Sequence, residues 1–348
     1  MTKQVRALGL LSGGLDSILA CRVLMEQGIH VEAVNYYTGF CVQTHTRALR
    51  NPEPGKEPAR HDALKASEIL GIELHIVDIA EEYVEIVTNP KYGYGKNLNP
   101  CLDCKIFMVE KAWQMAQEMG FDFIFTGEVV GQRPMSQRSD TMPKVAREGG
   151  ATGWLLRPLC AHILPETEPE KQGLVDRERL FGFNGRTRKP QMALAAELGI
   201  EEYPSPAGGC CFLTDESYSR KLQDLWDHRQ SKQYTMDDIM LLKVGRHIRP
   251  NDRFKIIIGR DQTENGFLRG MRQGRHAIRA VGIPGPLALV EGEPTDDDLA
   301  LALRMVGRFG KGKNSDSLTM EIRSPTGALS EITTTPLPPQ EIDDAWYV

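Results

Sequence analysis

The sequence predicts an α/β fold with a doubly wound parallel sheet, followed by a smaller C-terminal α+β domain. Two observations lead to this prediction. Short apolar runs alternate with segments of helical periodicity over roughly the first 130 residues, which is typical of a parallel sheet. Near Met236 the chain turns basic, and apolar strands such as Phe254–Ile258 follow. In a doubly wound sheet, ligands bind at the carboxyl ends of the strands.

The first strand, helix and connecting loop suggest an anion site. Residues 5–11 are mostly apolar, and Ile18, Cys21 and Met25 are spaced as one face of a helix. Between them, residues 12–17 read Ser-Gly-Gly-Leu-Asp-Ser. The glycines allow a sharp turn, and the first helical turn presents unpaired N–H groups and a positive dipole end. A phosphate fits such a loop, although Gly-Gly alone would not exclude an ordinary strand-to-helix turn. No GxxxxGK[ST] string is present, so a Walker-type NTPase is not supported.

The next elements extend the alternation. Strands are predicted at 31–37, 74–79 and 121–126, and helices at 63–70, 106–116, 191–198 and 217–229. Residues 38–60, 88–100 and 131–190 are predicted to be irregular because they lose periodicity and contain many Gly, Pro or Asn residues. The loop at 12–17, the stretch after Tyr36 and Thr126-Gly127-Glu128 should therefore lie around one crevice.

Composition excludes several classes of protein. The chain has 348 residues, of which 41% are apolar and 26% charged, as in ordinary globular proteins of two or three domains. No apolar run approaches the length of a membrane span and no signal-peptide pattern precedes the first strand, so we expect a cytoplasmic protein without a membrane partner. The seven cysteines favour thiol or metal chemistry over a disulfide scaffold.

Four of the cysteines form two clusters. Cys101 and Cys104 make a CxxC at a helix start, which favours thiolate, and Cys210 and Cys211 follow a glycine pair. A four-cysteine zinc site is disfavoured because adjacent cysteines chelate one tetrahedral ion poorly. A persulfide pair would need one thiol from each cluster. An iron–sulfur cluster on three thiolates would leave one iron open to an exogenous sulfur. Spacing alone does not choose between these last two.

The other three cysteines carry weaker signals. Cys21 lies on an apolar helix face and is predicted to be core, as is Cys160. Cys41 follows the second predicted strand and could border the nucleotide pocket.

The C-terminal charge pattern favours an anionic partner. Although the net charge is −5, residues 243–279 contain ten Lys or Arg and three acids. Arg246 and Arg260 lie in turns beside apolar strands, and arginine forks match phosphates bidentately. A solvated charged surface is the alternative.

The motifs resemble those of a known enzyme family. The Ser-Gly-Gly-Leu-Asp-Ser string is similar to the SGGxDS signature of the PP-loop ATP pyrophosphatases. With Asn99-Pro100-Cys101, Thr126-Gly127, a Leu-Arg-Pro-Leu run at 156–159 and Ser-Pro-Ala-Gly-Gly-Cys at 205–210, it resembles the PP-loop tRNA thiolases over about residues 5–215. The resemblance implies a HUP-like fold of the adenine nucleotide alpha hydrolase type, with ATP, Mg²⁺ and tRNA. The implied nucleotide-binding residues are Ser12, Gly13, Gly14, Asp16, Ser17 and Gly127.

The same resemblance gives the cysteines their implied roles. The 2-thiouridine-forming enzymes keep one catalytic cysteine in each motif, and Cys104 and Cys210 are the matching positions. Cys101 is a departure that is similar to the cluster-dependent 2-thiolases, in which CxxC and a distant cysteine hold [4Fe–4S]. A cluster on Cys101, Cys104 and Cys210 is therefore expected. Cys211 stands where an apolar residue is expected, which leaves the choice between Cys210 and Cys211 open.

A second resemblance concerns the C-terminal domain. Residues 259–265 read Gly-Arg-Asp-Gln-Thr-Glu-Asn, similar to the GR-x-x-x-x-N motif of NFACT-type RNA-binding domains. It implies RNA contacts through Arg260 and Asn265, and the basic charge pattern adds Arg246 as a third expected RNA-binding residue. The expected domains are an ATP-binding domain at 1–165, a cysteine-bearing extension and linker at 166–235, and an RNA-binding domain at 236–348.

The expected function is ATP-dependent tRNA sulfur transfer, with Asp16, Cys104 and Cys210 as catalytic residues. A uridine carbonyl oxygen attacks the α-phosphate of ATP and pyrophosphate leaves. Sulfur on the open iron or on a persulfide then displaces AMP. The sulfur donor is either sulfide or a persulfide-carrying protein. One alternative is an adenylating enzyme that uses an amine nucleophile, and another is an RNA-binding nucleotide sensor without thiolation activity. RNA-dependent pyrophosphate release separates the sensor from both enzymes.

Overall fold

The chain divides into two compact units. The computed structural model describes residues 4–42, 61–203 and 210–348. Of these residues, 4–42, 61–203 and 210–211 belong to unit 1, and Phe212–Val348 belong to unit 2. Most of the loop expected at 38–60, and the glycine-containing motif at 204–209, lie outside the described residues. The helix expected at 217–229 belongs to unit 2.

Unit 1 contains a five-stranded parallel sheet with the order β3-β2-β1-β4-β5. The strands are β1 (Arg6–Leu10), β2 (His30–Tyr37), β3 (Leu74–Asp78), β4 (Phe123–Thr126) and β5 (Leu155–Leu156). The strand order reverses between β1 and β4. From β1 the chain adds β2 and β3 on one side of the sheet, and it then adds β4 and β5 on the other side. Ligands bind at such a switch point, outside the carboxyl ends of the strands.

Helices cover both faces of this sheet, as the sequence predicted. They are α1 (Leu15–Met25), α2 (Asp62–Leu70), α3 (Ala80–Thr88), α4 (Cys101–Glu118), α5 (Thr141–Glu148), α6 (Glu168–Lys171) and α7 (Lys189–Glu197). Neighbouring residues of β1 face opposite layers: Ala7 packs with α1, α2 and α7, and Leu8 packs with α4 and α5. Both are fully buried, which is typical of a parallel strand. The predicted doubly wound α/β fold is confirmed.

One part of the sequence prediction was wrong. The sequence predicts residues 131–190 to be irregular, but this stretch contains the short strand β5, the one-turn helix α6 and the longer helix α5 (Thr141–Glu148). Only Met142, Val145 and Ala146 of this helix are buried. A helix of two turns with three core contacts leaves too short a periodic pattern to be recognised between polar, glycine-rich flanks.

Unit 2 is an α+β domain with a six-stranded antiparallel sheet in the order β11-β10-β8-β9-β7-β6. Its strands are β6 (Arg246–Asn251), β7 (Phe254–Ile258), β8 (His276–Ala280), β9 (Ala288–Gly292), β10 (Leu318–Arg323) and β11 (Leu329–Thr334). Its helices are α8 (Glu216–Arg229), α9 (Met236–Leu241), α10 (Gln262–Gly270) and α11 (Asp296–Arg308). Alternate residues of β7 are buried on opposite faces, so helices cover the sheet on both sides. Among the helices that the structure describes, none combines the length and apolarity needed to cross a membrane.

Candidate active site

Two glycines allow the loop at 12–17 to pack tightly at the switch point. Gly13 has φ +79°, and a Cβ there would lie 2.3 Å from the backbone of Asp62 at the start of α2. Gly127 follows β4, and a Cβ on it would lie 2.3 Å from the carbonyl oxygen of Asp16. Neither backbone neighbour can move as a flexible side chain could. The loop is therefore held between α2 and the end of β4; its position beside the end of β4 is the one that the sequence predicts.

The start of α1 offers N–H groups to a ligand. Gly14 is the N-cap in extended conformation, and among the described residues no side chain caps this end. Ser17 Oγ donates to the carbonyl oxygen of Gly14 at 2.8 Å and lies 3.4 Å from Ser12 Oγ. The Ser12 side chain is exposed. Because the helix terminus is uncapped, its N–H groups and dipole remain open to an anion.

Asp16 carries a buried oxygen without a hydrogen bond. Gln132 Nε2 donates to Asp16 Oδ2 at 2.7 Å, while Asp16 Oδ1 is buried and finds no partner in the described part of the chain. Burial raises the pKa of Asp16, opposed by the Gln132 hydrogen bond and by the charges of Arg188 and Arg133. Buried Gln191 likewise has an Oε1 without a partner among these residues. Unpaired oxygens beside a phosphate-type loop are the donor type that Mg²⁺ prefers, so the site fits this ion.

An ionic cluster follows Gly127. Glu128 is buried, and its carboxylate lies 3.4 Å from both Lys105 Nζ and Arg157 Nε. Burial acts to raise the pKa of Glu128, but the charges of Lys105 and Arg157 lower it overall. Glu128 is therefore ionised and holds Lys105 near the loop at 12–17.

The CxxC lies at the beginning of α4. Cys101 is the first residue of the helix and Cys104 lies within its first turn. Burial raises the pKa of the Cys104 thiol to about 12, although a hydrogen bond with Tyr83 acts in the opposite direction. Cys104 is therefore a thiol at neutral pH unless a cation or metal ion binds its sulfur.

Lys105 lies near cysteines of both clusters. Burial acts to lower the pKa of Lys105. The charge of Glu128, together with negative charge on the sulfur atoms of Cys210, Cys104 and Cys101, raises it overall. The structure thus brings together the three cysteines expected as cluster ligands. Arg133 Nη1 lies 3.8 Å from the sulfur of exposed Cys210, which adds a second cation.

The donor set at this place consists of the thiols of Cys101, Cys104 and Cys210, with the cation Lys105 beside them. Iron–sulfur clusters are held by cysteine thiolates, so the chemistry of this donor set fits such a cluster. A neighbouring cation favours the thiolate form that binds iron.

Two cysteines belong to the core, as expected. Cys21 and Cys160 are buried, and burial raises their pKa to about 12 and about 11. Cys160 Sγ donates to the carbonyl oxygen of Glu128 at 3.2 Å. Neither thiol is available for sulfur chemistry.

Unit 2 contains a positively charged groove of about 1100 Å³, which we call the basic groove. Arg246, Arg260 and Asn265, the expected RNA-binding residues, all line it. Arg308, Lys311 and Lys313 add further positive charge, and Phe309 and Tyr347 provide aromatic faces. Such a combination suits a nucleic acid, whose phosphates need cations and whose bases stack on aromatic rings.

The three expected RNA-binding residues are held in different ways. Arg246 lies over the Phe309 ring, with its guanidinium carbon 5.3 Å from the ring centroid. Arg260 pairs with Glu264, its Nε lying 2.9 Å from Oε1. Asn265 Oδ1 accepts the Leu287 N–H at 2.9 Å, so this oxygen serves the fold. Arg246 is therefore the residue of the three best placed to meet a ligand.

Sequence reasoning missed several residues that shape the site. Lys105, Tyr83, Gln132 and Arg133 contact or polarise the expected site residues. Lys105 directly follows the CxxC, which was the one available signal. The others are separated from their partners by up to 116 positions, so only the fold brings them together.

Two domain families match this chain. Residues 5–147 match the tRNA methyl transferase HUP domain, and residues 245–347 match the NFACT protein RNA binding domain. The first match covers most of the parallel sheet with the loop at 12–17 and the CxxC, and the second covers the antiparallel sheet with the basic groove. The resemblances inferred from the sequence motifs are thereby confirmed.

Several curated proteins that are similar in sequence to this chain are tRNA-specific 2-thiouridylases. The tRNA-specific 2-thiouridylase MnmA of Syntrophotalea carbinolica is 35% identical over 133 residues, or 36% of this chain and 35% of that protein. MnmA of Desulforamulus reducens is 25% identical over 64% of this chain and 59% of the relative. MnmA of Saccharopolyspora erythraea is 33% identical over 63% of this chain and 58% of the relative. The chain thus spans less than two thirds of the length of each of these relatives.

Proposed function

We propose that this protein is an ATP-dependent tRNA sulfurtransferase that replaces a uridine oxygen by sulfur. The observation that carries the proposal is that a phosphate-type loop and a cluster of thiols lie at the same edge of the parallel sheet. Lys105 forms an ion pair with Glu128, which follows the glycine that packs on the loop at 12–17. Lys105 also interacts electrostatically with the sulfur atoms of Cys101, Cys104 and Cys210. Similarity to tRNA 2-thiouridylases supports the same reaction class.

In this proposal the loop at 12–17 binds ATP. The uncapped start of α1 and the hydroxyls of Ser12 and Ser17 receive the phosphates, and Gly13 and Gly14 let the backbone approach them. Asp16 would hold Mg²⁺, which when bound neutralises phosphate charge. A uridine carbonyl oxygen attacks the α-phosphate, and pyrophosphate leaves. The positive charges of Arg133 and Arg188 near Asp16 stabilise the negative charge that develops.

The thiols serve the second half of the reaction. Cys101, Cys104 and Cys210 would hold a [4Fe–4S] cluster, which when bound supplies an open iron position for exogenous sulfur. Lys105 and Arg133 favour negative charge on sulfur at this place. A persulfide on Cys210 resolved by Cys104 is the alternative chemistry of the same residues. In either case sulfur displaces AMP from the adenylated base. Sulfide supplies this sulfur in the cluster route. In the persulfide route a persulfide-carrying protein supplies it, and a thiol reductant then reduces the Cys104–Cys210 disulfide that resolution leaves.

We propose that the basic groove is the tRNA-binding site of unit 2. Its cations would neutralise backbone phosphates, and Phe309 with Arg246 would stack on an unpaired base. The target uridine itself must leave its stack to be adenylated, which favours a loop nucleotide.

Pyrophosphate release tests this function. The full chain, purified anaerobically, is mixed with ATP, Mg²⁺ and a tRNA transcript, and pyrophosphate is measured with and without RNA. We expect RNA-dependent release, reduced at least about 100-fold in Asp16→Asn because the carboxylate beside the phosphates is lost. Exposed Asp227, in unit 2, provides the control: Asp227→Asn keeps the wild-type rate.

The outcomes separate the alternatives. Pyrophosphate release without any thionucleoside in the digested tRNA would indicate an adenylating enzyme with another nucleophile. Binding of ATP and RNA without pyrophosphate release would indicate a nucleotide sensor. Wild-type turnover in Asp16→Asn would remove the nucleotide assignment.

A further inference from the structure

Cys41 and Cys211 lie opposite each other on two neighbouring segments of unit 1. They form an isolated antiparallel β-bridge between the stretch after β2 and the last residue of the unit. The Val42 N–H donates to the carbonyl oxygen of Cys210 at 3.3 Å. The hydrogen bond therefore joins the residues that flank the bridge. This pattern makes Cys41 and Cys211 a non-hydrogen-bonded pair of an antiparallel ladder.

Such a pair has the spacing that a disulfide needs. Opposed residues of this type have Cα atoms about 4.5 Å apart and close side chains, and disulfides span about 4.4–6.8 Å between Cα atoms. Both residues are partly exposed thiols. A small oxidant can therefore reach them, in contrast to buried Cys21 and Cys160.

We propose that Cys41 and Cys211 form a reversible disulfide when the protein meets a peroxide or a small-molecule disulfide. With hydrogen peroxide, one thiolate attacks the O–O bond and becomes a sulfenic acid, releasing water once a proton is taken up. The second thiolate attacks that sulfur, and a second water leaves. The two thiols lose two electrons and two protons, and the peroxide takes up both. A low-molecular-weight thiol reverses the reaction by exchange.

Competing pairs are less well arranged. Cys210 and Cys211 are adjacent, so their Cα atoms are about 3.8 Å apart across a trans peptide, below the usual disulfide range. Cys104 lies on α4, outside the β-bridge that sets Cys41 opposite Cys211. The Cys41–Cys211 pair is therefore the preferred product.

The disulfide also decides between the two adjacent cysteines. If Cys211 pairs with Cys41, exposed Cys210 beside Arg133 is left for the sulfur site. This second step rests on the proposed function, whereas formation of the disulfide does not.

Peptide mapping tests the proposal. The reduced full chain is treated with hydrogen peroxide or, separately, oxidised glutathione; remaining thiols are blocked with N-ethylmaleimide, and the protein is digested with trypsin without reduction. Residues 23–47 contain Cys41 alone, and residues 189–220 contain both Cys210 and Cys211. We expect these two peptides to be cross-linked and the link to vanish with dithiothreitol.

Matched variants locate the bond. Cys210→Ser should keep the cross-link and Cys211→Ser should lose it, since the two substitutions change neighbouring positions of the same peptide. Cys41→Ser should also lose it, and thermal melting of each variant verifies that it folds. The proposal is overturned if the link persists in Cys211→Ser, or if wild-type protein instead joins residues 189–220 to the peptide that carries Cys101 and Cys104. These outcomes are read without any activity assay, so they do not depend on whether the protein thiolates tRNA.

Discussion

Gly127→Ala should displace the loop at 12–17 and thereby reduce RNA-dependent pyrophosphate release. A Cβ at this position would lie 2.3 Å from the Asp16 carbonyl oxygen and 2.6 Å from the Ser17 nitrogen, where ordinary contact begins at 3.4 Å. Relief of the overlap therefore moves the loop by about 1 Å relative to β4. Overpacking of this kind costs about 1–3 kcal/mol of stability, and a 1 Å misplacement of reacting groups costs about 100-fold in rate.

The assay measures RNA-dependent pyrophosphate release and the free energy of unfolding in urea for the same samples. Gly266→Ala is the control, because a Cβ on that helical glycine meets no atom within 4 Å. Replacing a helical glycine in open space should stabilise unit 2 by about 0.5–1 kcal/mol and leave turnover unchanged. Wild-type turnover in Gly127→Ala would refute the argument that close packing of this glycine positions the loop.

Three further predictions concern separate features. Burial acts to raise the pKa of Glu32, but hydrogen bonds from His75, His30 and Arg6 lower it to about 2. This stabilisation is complete above the usual pKa near 4.5 and is lost as the pH falls towards 2. Glu32→Gln should therefore destabilise by about 3 kcal/mol at pH 7 and by about 1 kcal/mol at pH 3 in urea titrations. Replacing Lys311 and Lys313 together by Ala should weaken tRNA binding and reduce the slope of log K against log salt by about 1.5, whereas an unchanged slope would place RNA elsewhere. Cys101→Ala should lose iron and acid-labile sulfide while Cys21→Ala keeps both; an active, iron-free Cys101→Ala protein would leave only the persulfide route.

Local patterns were sufficient to predict the first four strands of unit 1 and its doubly wound fold class, although they missed β5 and several helices. Each buried parallel strand is a short apolar run, and Gly71, in the left-handed conformation, ends α2 where the sequence indicated. Residues at strand ends could be assigned to one crevice because parallel strands present their carboxyl ends at the same edge. The loop at 12–17 and Thr126-Gly127-Glu128 were therefore found from sequence.

Long-range partners could not be predicted in the same way. Tyr83, on a helix that the sequence analysis did not identify, lies beside Cys104, and Gln132 bonds Asp16 from 116 positions away. No periodicity records such contacts, because they depend on how loops of different lengths return to the sheet edge. The pairing of Cys41 with Cys211 is a further example.

The thionucleoside yield tests the central claim most directly. The 348-residue chain is incubated anaerobically with ATP, Mg²⁺, sulfide and an unmodified tRNA transcript, and the digested RNA is analysed for thiouridine by mass spectrometry. We predict thiouridine that requires ATP, persists in Cys160→Ala, and disappears in Cys104→Ala and Cys210→Ala. Thiouridine formed at the wild-type level by Cys104→Ala, or none formed by wild-type protein that retains its iron, would contradict the assignment of these thiols to sulfur transfer.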